Sequence, residues 1–164
     1  DRIRFNRHTR VGSDMALEIC RRLRFSNAHI AHIVGLVSDH HLFTDSRKMR
    51  QSRFKRFLRT DRFADHLELH RVDCLASHGD QSNYEYCLRA WENLEPQEVR
   101  PDPLISGHDL IDMGYEPGPE FKRVLRAVED AQLEGRIRNR TSALELAGRA
   151  FAKDDKCESA SGTG

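Results

Sequence analysis

The sequence has no apolar run that approaches the ~18 residues needed to span a bilayer, and no signal peptide is recognisable. It also lacks an excess of charge of one sign, because 27 Lys and Arg residues balance 26 Asp and Glu residues to a net charge of +1. A basic field over the whole molecule is therefore excluded, and any nucleic-acid-binding surface must be local. We expect a cytoplasmic protein without a membrane span.

Cysteine is scarce and irregularly spaced. The cysteines Cys20, Cys74, Cys87 and Cys157 form no CxxC pair and no regular disulfide framework. This spacing favours free thiols over disulfides and argues against a structural zinc site.

Strand-like alternation is missing as well, since apolar residues recur every three or four positions rather than every second one. With 38% apolar and 32% charged residues, this pattern predicts an all-α protein, a helical bundle of about seven or eight helices. The residues predicted to cap helices are Ser13, Ser26, Thr60, Ser106 and Thr141, and Ser82 is predicted to open the fifth helix. The helices are expected over about 13–23, 26–41, 47–59, 61–77, 82–94, 106–113, from 119 onward, and 141–152. Met15, Ile19 and Leu23 are expected to share one side of the first helix.

Prolines concentrate in one stretch. Three of the five prolines lie between Glu95 and Pro103, and this predicts a linker over 95–102 that joins two groups of helices.

The segment 103–137 holds a short helix, a stop and a long helix. Ser106 and Asp109 have the spacing of a capping box, and Gly114 can adopt the left-handed conformation that ends a helix. Pro117-Gly118-Pro119 then fixes the angle at which the long helix begins, with its second proline in the first turn. This corner is either purely structural or an anion site, because the first N–H groups of a helix have no carbonyl partners.

Local basic clusters are the signal for nucleic-acid binding. Between Ser46 and Arg62 there are eight basic residues and one acid, Asp61. On one continuous helix Lys48, Lys55 and Arg59 would share a side that faces away from the apolar stripe, and we expect them to be dispensable for the core. The residues predicted to contact RNA are Lys48, Lys55, Arg56 and Arg59, with a weaker contact from Lys122, Arg123 and Arg126. The alternative is that these are solvated faces paired with Asp and Glu.

Several separated motifs match one family in the family's own order. The stretch from Pro103 to Gly135 carries PLISGHDL followed by GxxPGPxxxxxLxxxxxxQLEG, and the segments "SRFKRFLR" (52–59) and "LHRVDCLASHGD" (69–80) precede it. These motifs resemble the C-terminal region of bacterial tRNA nucleotidyltransferases and poly(A) polymerases of the class II CCA-adding type. Residues 4–43 are similar to the second half of an HD-type domain that many of these enzymes contain.

The resemblance implies a division of the chain. We expect the end of an HD-like region over 1–45, a helical body over 46–94, the linker over 95–102, a C-terminal helical tail domain over 103–152 and a disordered tail over 153–164. In that family the body and tail hold the upper part of tRNA, so tRNA or another RNA 3′ end is the implied partner.

The resemblance also implies what this chain does not carry. The family's catalytic head has a Gly-Ser pair followed by a DxD carboxylate pair that holds Mg²⁺ for transfer from ATP or CTP. The Gly-Ser-Asp at 12–14 has no second carboxylate two residues on. The chain begins with Asp1 rather than Met, so we expect a fragment whose parent has the head and neck upstream. We therefore expect no catalytic residue and no cofactor here; Mg²⁺ and ATP or CTP belong to the parent enzyme.

Two other hypotheses stay open. An HD-type metal phosphohydrolase would use His8 and His40 among its ligands, but the leading His and the His-Asp pair of such a site are absent, so we expect no metal site. A helical interaction or dimerisation module is the third hypothesis. Whether the parent adds CCA or poly(A) is left open, because the residues that make that choice belong to the neck.

Overall fold

The structure is a computed structural model that describes the backbone of residues 8–158 and the side chains of residues 9–152. Its described part contains α-helices and one 3₁₀ helix and no strand, which confirms the all-α prediction. In chain order the elements are α1 (His8–Arg22), α2 (Asn27–Asp39), the 3₁₀ helix (His40–Lys48), α3 (Gln51–Leu58), α4 (Phe63–Ser77), α5 (Ser82–Asn93), α6 (Pro96–Val99), α7 (Gly107–Asp112), α8 (Pro119–Leu133) and α9 (Arg140–Glu158). None of these helices is long and apolar enough to cross a membrane.

Several helix boundaries follow the predicted signals. The hydroxyl of Ser26 accepts a hydrogen bond from the backbone N–H of His29 at 3.3 Å, as an N-cap does. The carboxylate of Asp109 accepts from the backbone N–H of Ser106 at 2.6 Å, so the predicted capping box forms. Gly114 has φ +90° just after α7, a conformation that a residue with a Cβ rarely adopts.

The predicted cap at Ser13 is wrong, because α1 begins five residues earlier at His8. Ser13 lies inside the helix and its hydroxyl donates to the carbonyl of Thr9 at 2.8 Å, which is how a serine is accommodated in a helix interior. The helix packs closely on α2 at Gly12, where an added Cβ would lie 3.2 Å from Val37.

The apolar residues predicted on one side of α1 do not form a buried face. Met15, Ile19 and Leu23 are 57%, 43% and 60% exposed, whereas Cys20 is buried. Helical spacing places residues on a common side but does not tell which side a neighbouring element covers.

The predicted caps at Thr60 and Thr141 are also wrong. The backbone before α4 turns at Arg62, which has a left-handed φ of +51°, so the helix starts at Phe63. At α9 the capping side chain is Asn139, whose Oδ1 accepts from the N–H of Ser142 at 2.9 Å.

The single helix predicted over 47–59 is interrupted. Met49 and Arg50 have extended backbones with ψ of 139° and 142°, so the 3₁₀ helix ends before them and α3 begins after them.

The predicted linker contains a short helix. In α6 the carboxylate of Glu98 accepts a hydrogen bond from the backbone N–H of Glu95 at 3.1 Å.

The chain forms two compact units. Of the described residues, the first consists of those through Met49 and Thr60–Asn93, and the second of Arg50–Arg59 and those from Leu94 onward. Helix α3 therefore belongs with α6 to α9, and α9 continues to Glu158, beyond the predicted helix end near Ala152. The functional boundaries at 45, 94, 102 and 152 stay predictions.

Aromatic packing organises the first unit. The ring of Phe43, which is completely buried, stacks on the His70 ring with centroids 4.4 Å apart and lies 5.9 Å from the Phe63 ring.

Burial raises the pKa of the Cys74 and Cys87 thiols, so both are neutral at pH 7. Cys20 is also a free, buried thiol, which agrees with the predicted absence of disulfides among the described cysteines.

The core of the second unit lies between α7, α8 and α9. Apolar residues lie along one side of α8, and Val124, Val128 and Ala131 on that side are buried. Residues from the other helices complete this core: Ile105, Leu110, Ala143 and Ala147. On the other side of α8, Lys122, Arg123 and Arg126 of the first half of the helix are exposed.

Candidate nucleic-acid interface

Arg56 of α3 is held by carboxylates of α8. Its guanidinium donates to Glu129 Oε2 from Nε at 3.0 Å and from Nη2 at 2.5 Å, and it also pairs with Asp130. Its side chain is 17% exposed, and the paired carboxylates hold the pKa of Arg56 above its usual value despite its partial burial. Arg56 therefore joins two helices of the second unit.

Arg59 shares the same carboxylate. Its Nη2 donates to Glu129 Oε1 at 2.6 Å and its Nη1 donates to the carbonyl of Val99 at 3.1 Å. The expectation that Arg59 is dispensable for packing is therefore wrong. At both guanidinium groups an RNA phosphate would compete with Glu129.

Lys48 and Lys55 do not share a helix face as predicted. Lys48 lies in the 3₁₀ helix of the first unit and is exposed, whereas Lys55 lies in α3 of the second unit and is half-buried. The extended backbone at Met49 and Arg50 separates the two elements. Among the residues that the structure describes, neither lysine has a carboxylate partner, so both stay candidate RNA contacts.

Glu134, in the QLEG motif at the end of α8, connects to the start of α3. Its carboxylate pairs with Arg50 through two hydrogen bonds, of which Nη2 to Oε2 measures 3.0 Å, and accepts from Arg136 Nε at 2.8 Å. The buried Ser52 also donates to it. These hydrogen bonds, that of Arg50 first, lower the pKa of Glu134 to about 2.

The depressed pKa of Glu134 predicts an acid-dependent loss of stability. Because the folded pKa lies below the unfolded value of about 4.3, this carboxylate stabilises the fold above pH ~4.3, and the contribution is lost as the pH falls toward 2. We expect Glu134→Gln to flatten the pH dependence of the free energy of unfolding in this window. Glu145→Gln, at a 64% exposed position with an i,i+4 partner, is the control and should leave the pH dependence as in the wild type. Equal pH profiles for wild type and Glu134→Gln would contradict the prediction. The measurement is urea denaturation at a series of pH values.

The outer side of α8 carries the predicted weaker contact. Lys122 and Arg126 are exposed, lie one helical turn apart, and have no carboxylate partner within the described part of the chain. Arg123 differs, since its Nε pairs with Glu120 at 2.6 Å and its Nη2 lies 3.3 Å from the carbonyl of Ala150. The structure therefore distinguishes two unpaired cations from one that is engaged.

A groove of about 730 Å³ runs beside these two cations. Its apolar surface comes from the partly buried Leu104, Phe121 and Leu125 together with the buried Val128. Lys122 and Arg126 also line it. A groove of this composition can receive a ligand that is apolar in one part and anionic in another.

The start of α8 is less open than the sequence indicated. Pro119 occupies the first turn as predicted, and the N–H of Phe121 already bonds the carbonyl of Gly118 at 3.1 Å. The acidic Glu120 also lies in this first turn, where it offsets the positive end of the helix dipole. The corner thus has a structural role, and its capacity to bind an anion stays a prediction.

The candidate metal residues are not brought together in the described part of the chain. His40 Nδ1 lies 2.6 Å from the carbonyl of Val37, and the side chain of His8 lies outside the described residues. No group of three or more His, Cys, Asp or Glu side chains among the described residues is arranged to hold a metal ion. The expected absence of a metal site stays a prediction.

Sequence reasoning missed the acidic partners of α3. Glu129, Asp130 and Glu134 are more than 70 positions away from Arg56 or Arg50, so no local spacing could pair them. The available signal was the balance of charge: a cluster of eight basic residues in a chain of net charge +1 requires acids elsewhere.

The family model described as tRNA nucleotidyltransferase domain 2 matches residues 8–147. This chain belongs to that family. The match covers both compact units, and the resemblance to class II tRNA nucleotidyltransferases that the motifs indicated is confirmed.

Curated relatives in this family carry related names. The chain is 31% identical over 144 residues to the CC-adding tRNA nucleotidyltransferase of Thermus thermophilus, a match that covers 87% of this chain and 33% of the relative. It is 31% identical over 141 residues to the A-adding tRNA nucleotidyltransferase of Deinococcus radiodurans, covering 81% and 32%. It is 42% identical over 73 residues to the A-adding tRNA nucleotidyltransferase of Halalkalibacterium halodurans, covering 40% and 17%.

The chain thus spans about one third of the length of the first two relatives and 17% of the third. No solved structure gives a significant match to this chain.

Proposed function

We propose that this chain is the RNA-binding region of an enzyme that adds nucleotides to RNA 3′ ends, with tRNA as the partner. Family membership supports this proposal, as do the names of the relatives, which are a CC-adding and two A-adding tRNA nucleotidyltransferases. The same names favour tRNA over a poly(A) tail as the RNA. Its place in tRNA processing favours a cytoplasmic location.

One structural observation carries the proposal. In the second unit Arg56 and Arg59 are engaged by Glu129, whereas Lys122 and Arg126 of α8 lack carboxylate partners among the described residues. Lys122 and Arg126 can contact phosphate without first breaking an ion pair. As RNA contacts they are therefore favoured over Arg56 and Arg59. RNA binding of this kind reads backbone and shape rather than base edges.

Nucleotide transfer is assigned to a part of the parent enzyme outside this chain. In the parent, Mg²⁺ with ATP or CTP would supply the metal and the nucleotide for the transfer. The described residues offer no cluster of ligands that fits Mg²⁺. The proposed role of the chain is to hold the RNA.

Binding of tRNA should weaken when the two unpaired cations are removed. For Lys122→Ala/Arg126→Ala we expect the affinity to fall about tenfold at about 50 mM salt. The slope of log affinity against log salt should become shallower by about one to two units, because binding with fewer phosphate contacts releases fewer counterions from the RNA. The measurement is fluorescence anisotropy of labelled tRNA with the purified 164-residue chain at several salt concentrations.

The matched control is Arg89→Ala/Arg149→Ala. These arginines are 68% and 73% exposed, and each pairs with a Glu one helical turn away. The control therefore changes the net charge by the same amount but retains the unpaired Lys122 and Arg126. We expect near wild-type affinity for the control. Equal losses in the two double variants would show that only net charge matters and would overturn the role of α8; no tRNA binding by the wild-type chain would overturn the proposed function.

A further inference from the structure

We propose that the groove beside Lys122 and Arg126 holds one unpaired base of the bound RNA, while these two cations hold the adjoining phosphates. This inference rests on the proposed function and deepens it, because it assigns a base-binding site where the proposed function requires only phosphate contacts. Its occupant is a single-stranded nucleotide rather than a helical segment.

The composition and size of the groove suit a nucleobase. Leu104, Phe121, Leu125 and Val128 provide an apolar surface, and the volume of about 730 Å³ is sufficient for a nucleobase and its ribose. A base that is not stacked in a helix exposes two flat apolar faces to water, and burying them against apolar side chains is favourable. Single-stranded RNA is commonly recognised through bases extruded in this way.

Charge complementarity carries the second step. Lys122 and Arg126 lie one turn apart along the same wall, so their cationic groups can contact successive positions of a backbone that runs along the groove. The acid that lines the groove, Glu129, does not oppose this, because its carboxylate is already paired with Arg56 at 2.5 Å and Arg59 at 2.6 Å. An apolar surface with two unpaired cations on one side fits a nucleotide better than it fits an uncharged ligand.

Loops of the second unit shape the other wall. Pro101 and Pro103 line the groove, and Gln132 of α8 donates from Nε2 to the carbonyl of Asp102 at 2.7 Å. This hydrogen bond fastens the loop to α8, and the prolines restrict its backbone. The groove is therefore formed before a ligand arrives, which limits the ordering cost of binding.

The test compares how the chain binds a hexaribonucleotide and an abasic hexaribonucleotide, which has the same length and charge but lacks the bases. With the 164-residue chain we expect the abasic strand to bind at least about fivefold more weakly, because stacking of one base against the groove is lost. In methyl NMR spectra the intact strand should shift the signals of Leu104, Leu125 and Val128, and the abasic strand should shift them much less. Leu75, which is 51% exposed on α4, is the internal control whose methyl signals should stay in place.

The outcomes separate this inference from the proposed function. If tRNA binds but the intact and abasic strands bind equally and leave the groove methyl signals unchanged, the base site is overturned while phosphate binding stands. If no RNA binds, the proposed function fails and the inference fails with it. If an acidic peptide shifts the same methyl signals as strongly as the intact strand, the occupant is a protein segment and the base site is overturned. Lys122→Ala/Arg126→Ala should weaken both strands by a similar factor, because it removes phosphate contacts common to the two.

Discussion

Replacing Leu110 by Ala is expected to lower the free energy of unfolding of the second unit by about 3 kcal/mol. Leu110 is completely buried in the core that Ile105, Val124 and Ala147 help to form. Truncation removes the transfer free energy of three carbon atoms and leaves a cavity that its packed neighbours fill only in part. The measurement is urea denaturation followed by circular dichroism, with the loss appearing as a lower midpoint.

The neighbouring Ile111 provides the matched control. It is 46% exposed on the same helix, so Ile111→Ala should cost less than about 1 kcal/mol. Similar losses for the two variants would show that α7 does not bury Leu110 as described. Leu110 lies in the family's DL motif. A large loss of stability in Leu110→Ala would show that the leucine of this motif serves core packing.

Replacing Arg56 by Ala is expected to cost about 2 kcal/mol of stability. The change leaves Glu129 without one of its two guanidinium partners and Asp130 without its Arg56 ion pair, at sites where the side chains are only 33% and 21% exposed. Removing one member of a partly buried ion pair leaves an uncompensated charge, which costs more than the loss of a surface pair. The expected size is below that of a fully buried pair because solvent still reaches both carboxylates.

Arg53 is the control for this prediction, since it lies on the same helix, is exposed, and has no ion-pair partner among the described residues. Arg53→Ala should change stability by less than about 0.5 kcal/mol. A double-mutant cycle of Arg56→Ala with Glu129→Ala should give a coupling energy of about 1 kcal/mol or more. A coupling near zero would mean that the contact is not maintained in solution, and Arg56 would again be a candidate phosphate contact.

These contacts change how the motifs of this family are interpreted in this chain. Ser52 and Arg56 of the "SRFKRFLR" segment bond to Glu134 and Glu129, and Gln132 of the QLEG motif bonds to the carbonyl of Asp102. Both motifs therefore join α3, α8 and the preceding loop into one unit. Lys122 and Arg126 lie between these two motifs and have no carboxylate partner among the described residues, as is also true of Lys48 and Lys55.

Sequence alone determined the fold class and several of the helix boundaries. The period of three to four in apolar residues fixed the helices, and Ser26, the Ser106–Asp109 capping box, Gly114 and Pro119 marked their ends, because each acts on backbone groups a few positions away. The family was also evident from sequence, since several motifs occur in the expected order.

Tertiary structure decided which charged and apolar side chains are engaged. Whether Arg56 contacts Glu129 or solvent depends on how α3 packs against α8, and whether Met15 is buried depends on which side of α1 meets α2. Helical periodicity assigns residues to a face, but the partner of that face comes from a segment that is distant in the chain. For that reason the basic stripe of α3 was predicted as an RNA contact, whereas the structure uses two of its arginines to hold the second unit together.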